Sequence, residues 1–193
     1  EKAGIRTFAD LRRWERDDLH QRFGNMGDRL WHLARGQDKR RISANRPVKS
    51  VSNETTFFED TGHIDLLEGH IWRLAQKVSD RAKARDIAGR IVTLKLKRAN
   101  HSTLSRRVTL HDPTNIADRL YRTARGLLDQ ALDEGPFRLI GVGLSDLVSA
   151  SDADRTPDLL DPDAAKRAEA ERASDLIRAR FGKDAIVKGR ALR

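Results

Sequence analysis

The chain has 193 residues, enough for one ordinary domain or for a domain of about 100 residues with smaller flanking pieces. Its 38 Lys and Arg exceed its 29 Asp and Glu, and the formal charge of +9 points to a polyanionic partner, most often nucleic acid. Aromatic residues at 5% leave few rings for stacking, the lack of cysteine excludes disulfide frameworks and thiolate metal sites, and no apolar run approaches the roughly 18 residues of a membrane span.

The positive surplus is uneven. Residues 1–47 carry 12 basic and 7 acidic groups, residues 48–150 carry 16 and 13, and residues 151–193 carry 10 and 9. No secretory signal is visible, and the absence of cysteine fits a reducing cytoplasm. The opening EKAG, without Met, reads as the start of a piece of a longer protein.

In chain order, Phe8, Leu11, Leu19, Phe23, Leu30, Trp31, Leu33 and Ala34 recur at helical intervals interrupted by Gly24 and Gly27. They predict three or four short helices ending near Gly36. Residues 37–47 (QDKRRISANRP) have no apolar period and read as a linker or strap. KSVSNETTFF (49–58) is rich in β-branched and aromatic residues and predicts a strand. Ile64, Leu67, Ile71, Leu74, Ala75 and Val78 then form one stripe of a helix running to about Arg85.

GRIVTLKLKRANHSTLSRRVTL (89–110) holds six Lys or Arg and no acid. Val92, Leu94 and Leu96 alternate with Thr93, Lys95 and Lys97, and Leu104, Val108 and Leu110 alternate with Ser105, Arg107 and Thr109, which predicts a hairpin with one buried face. Asp112 to Asn115 predicts a helix start, and Ile116, Leu120, Ala124, Leu127, Leu128 and Ala131 continue one face to Glu134. FRLIGVGLSDLV (137–148) predicts a last strand. The order strand, helix, strand, strand, helix, strand is that of a ferredoxin-like, split βαβ plan: a four-stranded antiparallel sheet with both helices on one side. The fold class is therefore α+β, a small helical domain followed by a βαββαβ domain. A linker rich in small, acidic and Pro residues (151–163) and an alanine-rich helix at 164–181, expected to pack weakly or on a partner, complete the chain.

Two helices cover one side of such a sheet and leave the side with Lys95, Lys97, Ser105 and Arg107 to solvent or a ligand. Solvation alone would account for many basic strands; the missing acids on both arms favour a ligand. Neither arm carries an aromatic residue for base stacking, and Thr, Ser, Lys and Arg suit phosphate and sugar contacts, which position a duplex without reading it. In the first segment Gly24 and Gly27 either bring backbone N–H groups to a phosphate or permit a tight helix-helix turn, while Arg29, Lys39, Arg40 and Arg41 suit phosphate. His63 and His70, seven apart on one helix, are too distant to share a metal. Asp152, Asp154, Asp158, Asp161 and Asp163 sit in a Pro-containing linker and read as solvated. No nucleophile-base pair or Gly-rich phosphate loop is present, so no catalytic residue is expected.

GIRTFADL, FGNMGDRLWHLARGQDKR, RPVKSVSNETTFFED and FRLIGVGLSDL resemble, in this order, the thumb and little-finger domains of Y-family translesion DNA polymerases of the bacterial DNA polymerase IV type, over about residues 1–150. The resemblance implies a partial thumb at 1–40, a linker at 41–48, a DNA-binding little finger at 49–150, a second linker at 151–163 and a tail at 164–193 of unassigned role. It implies a bacterial, cytoplasmic protein, nucleoid-associated during repair, whose intact form is a DNA-directed DNA polymerase using Mg²⁺ on carboxylates of a palm N-terminal to Glu1. This piece would need no cofactor, would be catalytically inactive alone and would act as a monomer on primer-template duplex DNA. Lys49, Ser50, Lys95, Lys97, Arg98, Thr103, Ser105, Arg107 and Arg138 would line the groove, with Gly24, Gly27, Arg29 and Arg40 from the thumb. A sliding-clamp peptide is matched by Asp158, Leu159 and Leu160, without the family's Gln. Two other readings are a non-catalytic DNA-binding accessory protein or polymerase homologue with the same domains, and a regulatory module that binds a small molecule.

Overall fold

The structure is a computed structural model that describes residues 4–41, 47–154, 161–182, 184–186 and 189. The chain divides into two units, residues 1–46 and 47–193.

The first unit holds α1 (Phe8–Arg12), α2 (Arg16–Phe23) and α3 (Asn25–Ala34). A reciprocal capping box starts α1: the Thr7 hydroxyl accepts from the Asp10 N–H, and the Asp10 carboxylate accepts from the Thr7 N–H. Gly24 both ends α2 and precedes α3, at φ +59 and ψ −145, a conformation open to glycine. Gly27 is buried against α2, where a Cβ would lie 1.9 Å from the Leu19 carbonyl oxygen. Leu11 and Leu19 are buried, and Arg35 lies over the Trp31 ring at 3.9 Å while donating to the Arg12 carbonyl at 2.9 Å.

The second unit runs β1 (Ser50–Thr61), α4 (Ile64–Lys83), β2 (Ile87–Arg98), β3 (Thr103–Thr114), α5 (Ala117–Asp129), β4 (Phe137–Ser149) and α6 (Ala164–Phe181). The expected βαββαβ order is present, and α4 and α5 line one side of the sheet. The strand order is β1-β4-β2-β3, with every neighbouring pair antiparallel. Each crossover therefore straddles one strand: β1 and β2 run parallel with β4 between them, and β3 and β4 run parallel with β2 between them. The central pair is thus β2 and β4, where a ferredoxin-like order puts the first and third strands. Burial explains the choice: Val92, Leu94 and Leu96 of β2 and Phe137, Ile140, Val142 and Leu144 of β4 are all buried, whereas β1 and β3 bury few residues.

The helices cover this apolar face with Leu67, Ile71, Trp72, Leu74, Ala75 and Val78 from α4 and Leu120, Ala124, Leu127 and Leu128 from α5. Trp72 meets Tyr121 edge-on at 5.5 Å. Ile64, expected in the stripe, is 37% exposed in the first turn of α4. The segment expected to start α5 instead finishes β3. Pro113 is tolerated there because β3 is an edge strand, and its carbonyl accepts from Asp154 N–H at 2.9 Å. The helix ends at Asp129, and a 3-10 turn at Leu132–Glu134 leads to β4.

The alanine-rich α6 docks through a carboxylate rather than through apolar burial. Glu171, 2% exposed, accepts from the N–H groups of Ala117 (2.7 Å) and Asp118 (3.0 Å), which open α5, and from Lys83 Nζ (2.6 Å). α5 has no side-chain cap of its own at Ile116, so α6 supplies the acceptor across space. Lys83 also reaches Asp175 at 2.6 Å, and Arg167 donates to Asp118 at 2.9 Å.

Candidate nucleic-acid interface

Residues directly opposed in an antiparallel ladder share one face of the sheet. The register defines four rows on the side away from α4 and α5: Ser50, Ser145, Ile91, Thr109; then Ser52, Gly143, Thr93, Arg107; then Glu54, Gly141, Lys95, Ser105; then Thr56, Leu139, Lys97, Thr103. Of the residues expected to meet DNA, the fold brings together Ser50, Lys95, Lys97, Thr103, Ser105 and Arg107. The same rows contain eight hydroxyl side chains and no aromatic ring.

Ser52, Thr93, Gly141, Gly143 and Ser145 also belong to this face, and no site role was read from them in the sequence. Their signal was the period-two pattern of SVSNE and GVGLS, which marks strands equally well. Gly141 and Gly143 put bare backbone on the open side of central β4. The result is a shallow hollow of about 400 Å³, walled by Ser50, Ser52 and Glu54 on one side and by Thr93, Lys95 and Ser105 on the other. At Gly141 a Cβ would come within 2.9 Å of the Glu54 Cβ; at Gly143 it would meet the Ser52 Cβ at 3.4 Å.

The other expected residues lie elsewhere. Arg98 faces the helix side, where its Nε donates to the Glu134 carbonyl at 3.0 Å and its Nη2 to the Glu134 carboxylate. Arg106 donates to the same carboxylate at 2.9 Å. The six cations of the 89–110 window are thus not one surface: the alternation of β2 and of β3 turns two of them, Arg98 and Arg106, to Glu134. Arg138 is the extra residue at the register shift between Lys97 and Arg98, exposed, with its Nη1 3.9 Å from Asp60. Lys49 is exposed just before β1.

In the first unit, Gly24 joins two helices at positive φ and Gly27 permits their close approach, so the backbone turn at one and packing at the other each call for glycine. Arg29 is exposed. Arg40 pairs with Asp38 at 2.5 Å, and its hydrogen bonds hold the Asp38 carboxyl well below the usual carboxylate range. The candidate clamp peptide, Asp158 to Leu160, lies outside the described residues.

Among the described residues neither His63, which precedes α4, nor His70 within it joins a cluster of three metal-ligating side chains. Burial, aided by Arg73, pushes the His70 pKa down, and its ring packs on Phe57 at 4.9 Å. Among the described residues no three His, Asp or Glu side chains converge as metal ligands. The aspartates of the second linker are not simply solvated. Asp154 accepts from Thr114 Oγ1 (3.0 Å) and Arg119 (2.7 Å), and Asp161 pairs with Arg167. Among the described residues no helix is long and apolar enough to cross a membrane.

Residues 48–159 match the impB/mucB/samB family C-terminal domain. The chain is 46% identical over 189 residues to DNA polymerase IV 1 of Mesorhizobium japonicum, covering 98% of this chain and 43% of that relative. It is 45% identical to DNA polymerase IV of Brucella melitensis, with 98% and 42% covered, and 37% identical to that of Caulobacter vibrioides, with 100% and 47% covered. The chain therefore spans less than half the length of these curated relatives. A Y-family DNA polymerase chimera shares the fold, with a TM-score of 0.60 at 18% identity over 77% of this chain and 43% of that one. The chain belongs to the impB/mucB/samB family, whose C-terminal domain its residues 48–159 match.

Proposed function

We propose that the open face of the 47–193 unit holds primer-template duplex DNA through its phosphates, without reading base sequence, as part of an error-prone translesion polymerase acting in lesion bypass. The observation that carries this reading is the set of four rows, which gathers Lys95, Lys97 and Arg107 with eight hydroxyls around a glycine-floored hollow and leaves them uncovered. Cations and hydroxyls donate to phosphate and sugar oxygens whatever the base, and a face without rings has nothing on which to stack one. A grip of this kind tolerates a distorted template, because the backbone charge persists where the base is damaged. In the first unit Arg29 and Arg40 supply further phosphate contacts. Polymerisation belongs to the whole protein; the 193-residue chain alone binds duplex and does not extend a primer.

The test is anisotropy of a labelled primer-template duplex titrated with the 193-residue chain between roughly 50 and 200 mM salt. Lys97→Ala and Arg107→Ala each weaken binding equally on unrelated sequences and reduce the log-log salt slope by about 0.9. Unchanged slopes in both variants, or losses that depend on sequence, would refute the reading.

A further inference from the structure

Glu54 is the one acid in the four rows of the open face. It stands on edge strand β1, and its carboxylate accepts from Lys95 Nζ, on β2, at 2.8 Å. Central strand β4 lies between them, so the two backbones are two strand spacings apart, about 9–10 Å. The residue of β4 under the bridge is Gly141, and a Cβ there would press on the Glu54 Cβ at 2.9 Å. The glycine thus gives the two side chains a clear path across the floor of the hollow. Both ends are open to water, at 41% and 50% exposure, so the pair can exchange partners. Among the described residues neither Lys97 nor Arg107, the other two cations of the face, has an ion-pair partner.

We propose that Glu54 is an internal competitor for the phosphate site at Lys95. In the free protein it occupies the ammonium group across Gly141, and a DNA phosphate must displace it. Lys97 and Arg107 then provide a standing affinity for any duplex, while Lys95 contributes only after the exchange. The device weakens and loosens the grip at the centre of the face, so a duplex can be released and shifted along it. The inference rests on the phosphate-binding reading of this face.

A double-mutant cycle on the full 193-residue chain tests it, with the labelled duplex as the probe. Glu54→Gln, which keeps the shape and removes the charge, tightens binding about two- to fivefold and steepens the salt slope by about 0.9. Lys95→Ala alone changes affinity less than about twofold, because the exposed pair it breaks contributes little net. Lys95→Ala in the Glu54→Gln background removes the whole gain. A gain that survives Lys95→Ala would show general repulsion of DNA by the carboxylate and overturn the competition. No gain from Glu54→Gln, while Lys97→Ala and Arg107→Ala still weaken binding, would overturn the inference and leave the phosphate reading standing. No effect of Lys97→Ala or Arg107→Ala would overturn both.

Discussion

Replacing Glu171 by Ala should cost the second unit more than any other single change in α6. The carboxylate is 2% exposed and lies within hydrogen-bond reach of four donors: the N–H groups of Ala117 and Asp118, the Lys83 ammonium and, at 3.5 Å, the Ser79 hydroxyl. Losing a helix cap costs about 0.5–2 kcal/mol. Removing one partner of a buried ion pair costs about 3–5 kcal/mol. The second figure must be reduced here, because the Lys83 side chain is 23% exposed and keeps Asp175 at 2.6 Å. The Ser79 hydroxyl also keeps a partner, the Asn115 carbonyl at 2.5 Å. A net loss of about 2–4 kcal/mol follows, and Glu171→Gln, which retains an acceptor, should lose about half as much. Hydrogen exchange resolved to single amides, combined with urea unfolding, is the measurement. The Ala117 and Asp118 amides and the backbone of α6 should lose protection together. A loss below about 0.5 kcal/mol with those amides still protected would refute the idea that α6 caps α5.

Gly27→Ala should unfold or splay the first unit with a loss of at least about 2–3 kcal/mol, read by loss of helical circular dichroism, because the added methyl meets backbone and not a movable side chain. Arg98→Ala should lower thermal stability by removing its hydrogen bonds to the Glu134 carbonyl and carboxylate while leaving the salt slope of DNA binding unchanged; a reduced slope would place Arg98 on the DNA after all. Acidification should detach α6 below about pH 4. Burial opposes ionisation of Asp175, yet hydrogen bonds from Lys83 and Arg178 outweigh it and hold its carboxyl below the usual value; Asp118 is held down likewise, against burial, by Arg122 and Arg167. A depressed carboxyl contributes stability that is complete above its unfolded value near 4 and is lost as pH falls through the folded value. Protection of α6 that is unchanged near pH 2 would contradict this.

The elements themselves were legible because their signals are local. Alternation in 89–110 assigned Val92, Leu94 and Leu96 to one face of β2 and Lys95 and Lys97 to the other, and the apolar stripes located α4 and α5. The boundaries that slipped, at Pro113 and at Asp129, depend on neighbours distant in sequence: an edge position that tolerates proline and a 3-10 turn that carries Glu134. That Arg98, expected to meet DNA, pairs with Glu134 was not legible for the same reason, since that acid lies 36 residues away. The inward face of α6 escaped notice because it reverses the usual pattern: Glu171 is buried while Leu176 is 74% exposed.

By itself the sequence determined the α+β order, the side of the hairpin that carries Lys95, Lys97 and Arg107, and a resemblance later matched by relatives. All three rest on periodicity or on residues adjacent in the chain. Only the tertiary structure decided the strand order β1-β4-β2-β3, which lays Gly141 between Glu54 and Lys95, and the docking of α6 onto the uncapped start of α5. Both are pairings between groups dozens of residues apart. Which acid finds which cation, and which helix end finds an acceptor, is settled by the packing of the sheet and its helices, and no period along the chain encodes it.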